Sequence, residues 1–256
     1  MPTIIPIPAF SDNYIWLVRQ GLRAAVVDPG DAAPVISHLE REGIELVAIV
    51  ATHHHGDHVG GIPELLRRWR VPVFGPAAEH IPGRTRALRE GDSFGVDDID
   101  LKMSVLDIPG HTAGHIACFN DELVFSGDTL FAAGCGRLFE GTPAQMLASL
   151  DKLAALPGDT RVYCGHEYTV ANLRFALAVE PGSARLQERL AREQAKRDRG
   201  EATLPSTIAE ERETNPFLRA SERTIAAAAA QHAGRPLAER VSVFAEIRAW
   251  KNGFRA

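Results

Sequence analysis

Thr52-His53-His54-His55-Gly56-Asp57-His58 follows the apolar run Leu46 to Ala51. Imidazole and carboxylate groups crowded this closely point to a cation that they surround. The run before them is continuously apolar, as a buried strand is, and it delivers the chain to His53. If the strand direction continues through Thr52 to His55, His53 and His55 project to one side and reach a single ion. His54 then points away and is not expected to be a ligand. Gly56 is expected to turn the chain tightly, returning Asp57 and His58 to the cluster.

Three further candidates lie downstream, each at the exit of a strand-like run and each preceded by glycine: His111, Asp128 and His166. Histidines His53, His55, His58, His111 and His166, with Asp57 and Asp128, exceed what one closed four-coordinate site holds, and no cysteine pair accompanies them. They divide between two ions. We expect His53, His55 and His111 on the first, and Asp57, His58 and His166 on the second, with Asp128 bridging. Two ions about 3.5–4 Å apart lower the pKa of a shared water and brace charge on a substrate oxygen. Histidine and carboxylate donors suit zinc first, and iron or manganese as well. His115 is expected to support the site without ligating.

The 256 residues allow one large domain, or a core with an appendage. A formal net charge of −5 argues against a nucleic-acid binder, which usually carries a basic excess. No run reaches the length of a membrane span, and the start Met1-Pro2-Thr3-Ile4-Ile5-Pro6 lacks the basic and apolar regions of a signal peptide. Cys118, Cys135 and Cys164 are odd in number and unpaired in spacing, so they read as small buried residues in a protein of the reducing cytoplasm.

Along the chain, strands are expected at Tyr14 to Val18, Ala24 to Val27, Leu46 to Ala51, Val71 to Phe74, Ile99 to Ile108, Ile116 to Asn120, Leu123 to Ser126 and Arg161 to Cys164. Helices are expected over Pro34 to Glu42 and Pro63 to Arg70, and from Thr142-Pro143 onward. From about Val170 strand signals vanish. Ser183 to Arg199 reads as a surface helix, Ser221 as the cap of an alanine-rich one, and Leu237 to Lys251 as a final amphipathic one. Competing motifs fail: His166-Glu167-Tyr168-Thr169-Val170 lacks the second zincin histidine, and no P-loop or Gly-x-Ser-x-Gly elbow is present.

The histidine motif with His111, Asp128 and His166 resembles the metallo-β-lactamase superfamily. Four further stretches resemble the glyoxalase II (hydroxyacylglutathione hydrolase) family within it: Ser11 to Tyr14, Gly134 to Thr142, Gly165 to Thr169 and Asn215 to Arg219. The resemblance implies an α/β fold: an αββα sandwich over residues 1–169, followed by a helical substrate-binding domain over 170–256. It implies hydrolysis of S-D-lactoylglutathione to glutathione and D-lactate, the final step of methylglyoxal detoxification, by a monomer with no nucleic-acid or membrane partner. Asp57 and Asp128 then carry catalytic roles, with Asp57 orienting the attacking oxygen. Arg137, Tyr168, Arg248 and Lys251 fall on the family's glutathione-binding positions. Phe139 stands where the family has a tyrosine, and cannot donate that hydrogen bond, so weaker binding is expected there. Within the superfamily, the complete second-metal set and the loop Arg137 to Thr142 argue against a single-iron glutathione-persulfide dioxygenase. The negative charge argues against a nuclease, and the open, ligand-rich centre against a noncatalytic binding module.

Overall fold

The computed structural model describes residues 2–255, so Met1 and Ala256, the outer limits of the two expected domains, lie outside the described residues. The first sheet holds β1 (Thr3–Ala9), β2 (Asn13–Gln20), β3 (Arg23–Val27), β4 (Glu45–Val50), β5 (Val73–Pro76) and β6 (Arg86–Leu88), in that order. The second is built from β7 (Ser93–Val96), β8 (Leu101–Asp107), β9 (Ile116–Phe119), β10 (Leu123–Gly127), β13 (Arg161–Cys164) and β14 (Ser206–Thr207). Between β10 and β13 a small hairpin, β11 (Leu130–Phe131) with β12 (Gly134–Cys135), forms its own ladder.

Strand alternation sets the layers. Leu123 and Phe125 of β10 join Trp16, Val50 and Tyr163 between the two sheets. Val124, pointing the other way, packs under Leu150 of α4 (Pro143–Ala154). The first sheet likewise buries Ile49 and Val26 against Val35 and Leu39 of α1 (Ala32–Glu42). Leu65 of α3 (Ile62–Arg68) joins the same cluster, and the single turn α2 (Gly56–Val59) precedes it. The result is helix, sheet, sheet, helix.

Local chemistry fixes the ends. Asp31 caps α1 by accepting from Ala33 N at 2.9 Å, and Gly43 closes it in the left-handed region at φ 63°. Thr142 and Gln145 form a reciprocal capping box on α4, whose first residue is Pro143.

After β13 the chain becomes mainly helical: α5 (Thr169–Val179), α6 (Ala184–Asp198), α7 (Ile208–Thr214), α8 (Arg223–Ala233) and α9 (Arg240–Gly253). Phe175, Phe217 and Phe244 of this region share one apolar cluster with Val124, Val162 and Leu150.

Several expectations need correction. β1 is a strand despite Pro6 and Pro8, because it lies at the sheet edge, where a missing N–H costs no ladder bond. Strand signal does not vanish after Val170, since β14 adds a short edge strand to β13. The alanine-rich helix is capped at Glu222, one residue later than Ser221. Helices α5 and α7 escaped the sequence reading. The former is apolar nearly all round, because it is buried on most sides, and so lacks a periodic face.

One buried ion pair ties the helical region to the hairpin. Arg189 Nη2 donates to Glu211 Oε1 at 2.6 Å, and both residues are almost wholly buried. The other oxygen of Glu211 accepts from Ala133 N at 2.7 Å and Asn215 Nδ2 at 3.0 Å. Asn215 also donates to Gly134 O at 2.9 Å. Glu211→Ala removes the fully buried partner of Arg189, leaving it Glu210 Oε2 at 3.3 Å and the Thr214 hydroxyl, and is expected to lower unfolding free energy by about 3 kcal/mol. Urea denaturation of the chelator-treated protein measures it, and a loss under about 1 kcal/mol, the worth of an exposed pair, contradicts the anchoring role.

Candidate metal centre

All seven expected ligands come from segments that leave the sheets at one end. β4 leads to His53 and His55, α2 carries Asp57 and His58, the loop from β8 to β9 carries His111, Asp128 follows the end of β10 at Gly127, and β13 runs into His166. The route differs from the expected one in two places. β4 ends at Val50, so His53 and His55 lie on a loop and not on a continued strand. Gly56 opens α2 and is not in the left-handed region, so it is the helical turn that returns Asp57 and His58.

Glycine matters more at the strand exits. Gly127 has φ 47°, a conformation other residues rarely hold. A Cβ at Gly165 would lie 2.6 Å from both Asp128 Oδ1 and His58 Cε1, so glycine lets the backbone pass directly behind the cluster.

Ligand-type atoms of His53, His55 and His111 lie within 4.8 Å of one another, and so do those of Asp57, His58 and His166. In the first group, His55 Nδ1 is 3.2 Å from His53 Nε2 and 3.0 Å from His111 Nε2. In the second, Asp57 Oδ2 is 3.5 Å from His58 Nε2 and 3.4 Å from His166 Nε2. Asp128 faces both groups. Its Oδ2 lies 3.4 Å from His111 Nε2 and 3.2 Å from His166 Nε2, and its Oδ1 lies 3.5 Å from His58 Nε2.

Whether this set suits metal ions is a question of spacing and of unmet bonds. Two donors about 2.1 Å from one ion at a tetrahedral angle sit about 3.4 Å apart, close to these separations. His58 Nε2 and Asp128 Oδ1 are buried without any hydrogen-bond partner, a costly state that a cation relieves. The donor set therefore fits two divalent ions.

The rings are oriented from behind. His58 Nδ1 donates to Asp28 Oδ2 at 3.1 Å, His166 Nδ1 to Asp12 Oδ1 at 2.7 Å, and His111 Nδ1 to the Arg137 carbonyl at 2.9 Å. His53 Nδ1 meets Thr52 Oγ1 at 3.0 Å, and Thr52 Oγ1 donates onward to Asp28 at 2.8 Å. In these four rings Nε2 is left for the centre. Asn13 Nδ2 donates to Asp57 Oδ2 at 3.0 Å. His115, as expected, lies behind the site, where its Nε2 accepts from Asp128 N at 3.1 Å. Sequence reasoning missed the roles of Asp12, Asn13 and Asp28. Asp28 opens an Asp28-Pro29-Gly30 stretch that reads as a plain turn, and for Asp12 and Asn13 the available signal was the Ser11-Asp12-Asn13-Tyr14 match.

The electrostatics follow from the crowding. A hydrogen bond from His166, outweighing burial, holds the Asp57 carboxyl well below its ordinary range. Burial opposes the charge on Asp128, yet the facing His58 and His166 keep its carboxyl strongly acidic. Burial also works against a charged His166, but hydrogen bonds to Asp128 and Asp57 raise it to about 10. Both carboxylates are thus held as anions.

Beside the centre opens a cavity of about 680 Å³, and all the expected substrate residues line it: Arg137, Phe139, Tyr168, Arg248 and Lys251. Tyr168 stacks on His166 at 4.7 Å, while Phe139 stands edge-on to His55 and His111 at 5.7 and 5.3 Å. Arg248 is buried, with Nη1 donating to the Cys135 carbonyl at 2.5 Å and Nη2 to Asn252 at 3.2 Å. Lys251 Nζ lies 5.4 Å from the Phe175 ring centre and donates to Ala171 O at 3.3 Å. Burial, with Arg248 and Arg137 nearby, lowers Lys251 to about 8. Among the described residues, none of these three cations pairs with a carboxylate. The three cysteines are free and buried, and Cys135 reaches the cavity wall.

Residues 9–166 match the family model described as the metallo-beta-lactamase superfamily, and residues 167–254 match hydroxyacylglutathione hydrolase C-terminus. The chain is 57% identical to a hydroxyacylglutathione hydrolase of Cupriavidus taiwanensis, covering 100% of each. It is 58% identical to one of Alkalilimnicola ehrlichii, over 98% of this chain and 99% of that one. Among solved structures, ETHE1 from Myxococcus xanthus shares the fold at TM-score 0.65 and 24% identity, covering 98% of each chain. TTHA1623 in a di-iron-bound form aligns at TM-score 0.57 and 27% identity, over 84% of this chain and 100% of that one. Among the described residues no helix is long and apolar enough to cross a membrane. The chain belongs to the hydroxyacylglutathione hydrolase family of the metallo-β-lactamase superfamily.

Proposed function

We propose that the chain hydrolyses S-D-lactoylglutathione, and related S-2-hydroxyacylglutathiones, to glutathione and a 2-hydroxy acid such as D-lactate. The observation that carries this reading is one cavity lined by five of the seven convergent metal-type residues and by three cations that pair with no carboxylate among the described residues. A glutathione thioester has matching chemistry, with a bond to be hydrolysed at one end and carboxylates at the other. Family membership points to the same reaction.

His53, His55 and His111 hold one ion in this reading, Asp57, His58 and His166 the other, and Asp128 serves both. The ions, when bound, supply Lewis acidity and a water of lowered pKa. Zinc suits the nitrogen-rich set best, and the di-iron form of TTHA1623 supports iron as an alternative, with manganese also compatible.

The protein groups do the positioning. Asp57 is tied through Oδ2 to Asn13, which leaves Oδ1 to accept a hydrogen bond from the attacking water and so orient it. The thioester carbonyl carbon gains that oxygen, and the C–S bond then breaks. Glutathione leaves as a thiolate, a good leaving group that needs no dedicated acid. Arg248, Lys251 and Arg137 receive the carboxylates of the glutathione part, Tyr168 adds a hydroxyl, and Phe139 offers contact without a hydrogen bond. Residues 1–169 carry the cleavage chemistry together with Arg137, Phe139 and Tyr168 in this scheme, and 170–256 add Arg248 and Lys251 to the substrate contacts. We assign the protein to the cytoplasm, a reading its free, buried cysteines support, and take it to act as a monomer.

Turnover of S-D-lactoylglutathione, with metal content measured on the same sample, tests the assignment. Two ions per chain with turnover support it, and metal-replete protein without thioesterase activity overturns it. Asp128→Ala is expected to lose metal and turnover together, by about 100-fold or more in kcat; full loading with full turnover refutes its shared role. Arg248→Ala and Lys251→Ala are expected to raise KM about 10–100-fold with little change in kcat, as loss of a charged hydrogen bond implies. An unchanged KM removes them from the substrate site.

The lowered pKa of Lys251 gives a sign to the pH dependence. Below about 8 the ammonium is protonated and attracts a carboxylate, and the charge is lost as pH rises through that value. KM is therefore expected to be flat at lower pH and to climb above about 8, with the climb absent in Lys251→Met. The same climb in that variant assigns the effect to another group.

A further inference from the structure

His54, the one histidine of the Thr52–His58 motif that faces away from the centre, sits between two carboxylates from distant segments. Its Nδ1 is 2.9 Å from Glu79 Oε2 and its Nε2 is 3.4 Å from Glu140 Oε1. Each carboxylate in turn grips the loop that carries His111. Glu79 Oε1 accepts from Gly114 N at 3.0 Å and from the Thr112 hydroxyl, and Glu140 Oε2 accepts from Ala113 N at 2.7 Å. Glu79 is itself buried, and a Cβ on Gly114 would lie 2.7 Å from its Cγ, so the loop is pressed against it.

Glu140 belongs to the segment Arg137 to Gly141, which meets the His111 loop along its length. Phe139 N donates to His111 O at 3.3 Å and Gly141 N to Gly110 O at 3.1 Å. The Arg137 carbonyl accepts from His111 Nδ1 at 2.9 Å. One short segment therefore has two duties. Its backbone orients a ring of the first metal group, and its side chains Arg137 and Phe139 face the cavity.

We propose that His54, through Glu79 and Glu140, is a positioning residue that clamps the 137–141 segment and the His111 loop together, so that first-ion affinity and substrate affinity are set by the same contact. His54 touches neither substrate nor metal in this scheme. Its position between His53 and His55 means that the motif binds inward with two imidazoles and braces outward with the third. The substrate part of the proposal rests on the assigned glutathione site, whereas the metal part does not.

The experiment compares His54→Ala, Glu140→Ala and the conservative Glu140→Gln, whose amide oxygen still accepts from Ala113 N. Metal release to a colorimetric chelator is followed without substrate, and steady-state kinetics and Tm are measured alongside. His54→Ala is expected to weaken one of the two ions by about 10–100-fold, the usual effect of removing a support behind a ligand. The other ion keeps its affinity, and KM rises. Glu140→Ala is expected to do the same, and Glu140→Gln to restore most of both. The double variant His54→Ala/Glu140→Ala should fall no further than the worse single one, because both act through one contact.

Unchanged metal release and KM in His54→Ala and Glu140→Ala overturn the clamp. So do changes that simply follow a lowered Tm, or additive losses in the double variant. Failure of the wild-type protein to cleave the thioester overturns the assigned function, while the chelator measurement still decides the metal part.

Discussion

The Asp128 carboxylate is the contact on which the rest of the site depends. It is buried, and it faces His58, His111 and His166, which arrive from three separate segments. Burying a charge without partners is costly, and one unpartnered oxygen here is tolerable only if a cation or a positive imidazole answers it. The surrounding structure holds that arrangement in place. His115 takes the Asp128 amide, Gly127 supplies the left-handed turn into it, and Gly165 lets the β13 exit pass behind it.

The two sheets matter chiefly as a way to bring strand exits together. β4 and β5 in one sheet, and β10 and β13 in the other, run parallel in pairs and end on the same side. The sheets also touch at the site itself. Tyr14 N donates to Gly165 O at 2.8 Å and Glu167 N to Asp12 O at 2.8 Å. That junction delivers Asp12 to His166 and Asn13 to Asp57. The helical region adds one wall of the cavity and is fastened through Asn215 and Glu211 to the hairpin that lies between β10 and β13 in sequence. Apolar residues of the second sheet and of the helical region, such as Val124, Val162, Phe175 and Phe244, thus share a single cluster.

Much of this was legible beforehand. Leu46 to Ala51, Arg161 to Cys164 and Thr142-Pro143 carried strand and cap signals strong enough to stand alone, and the structure has β4, β13 and α4 there within a residue or two. What failed did so for identifiable reasons. Pro6 and Pro8 mask a strand unless its edge position is known, and α5 hides its period because it is covered on several sides. His53 and His55 do lie side by side, but not as strand neighbours, since ring orientation on the loop brings them together.

The residue types and their order along the chain were enough to announce a two-ion centre, because few other arrangements of soluble protein bring so many imidazoles and carboxylates together. Family and reaction were likewise readable in short stretches such as Gly134 to Thr142. Which groups stand behind the ligands was not readable, because Asp12, Asp28, Glu79 and Glu140 are separated from their partners by many residues and carry no local pattern. The same holds for Arg248 and Lys251, which pair with no carboxylate among the described residues, since a charge on a helix looks solvated until the fold removes its water. Ligand chemistry is a property of side chains and survives in a string of letters. Orientation, burial and missing partners are properties of packing, and exist only once the distant segments meet.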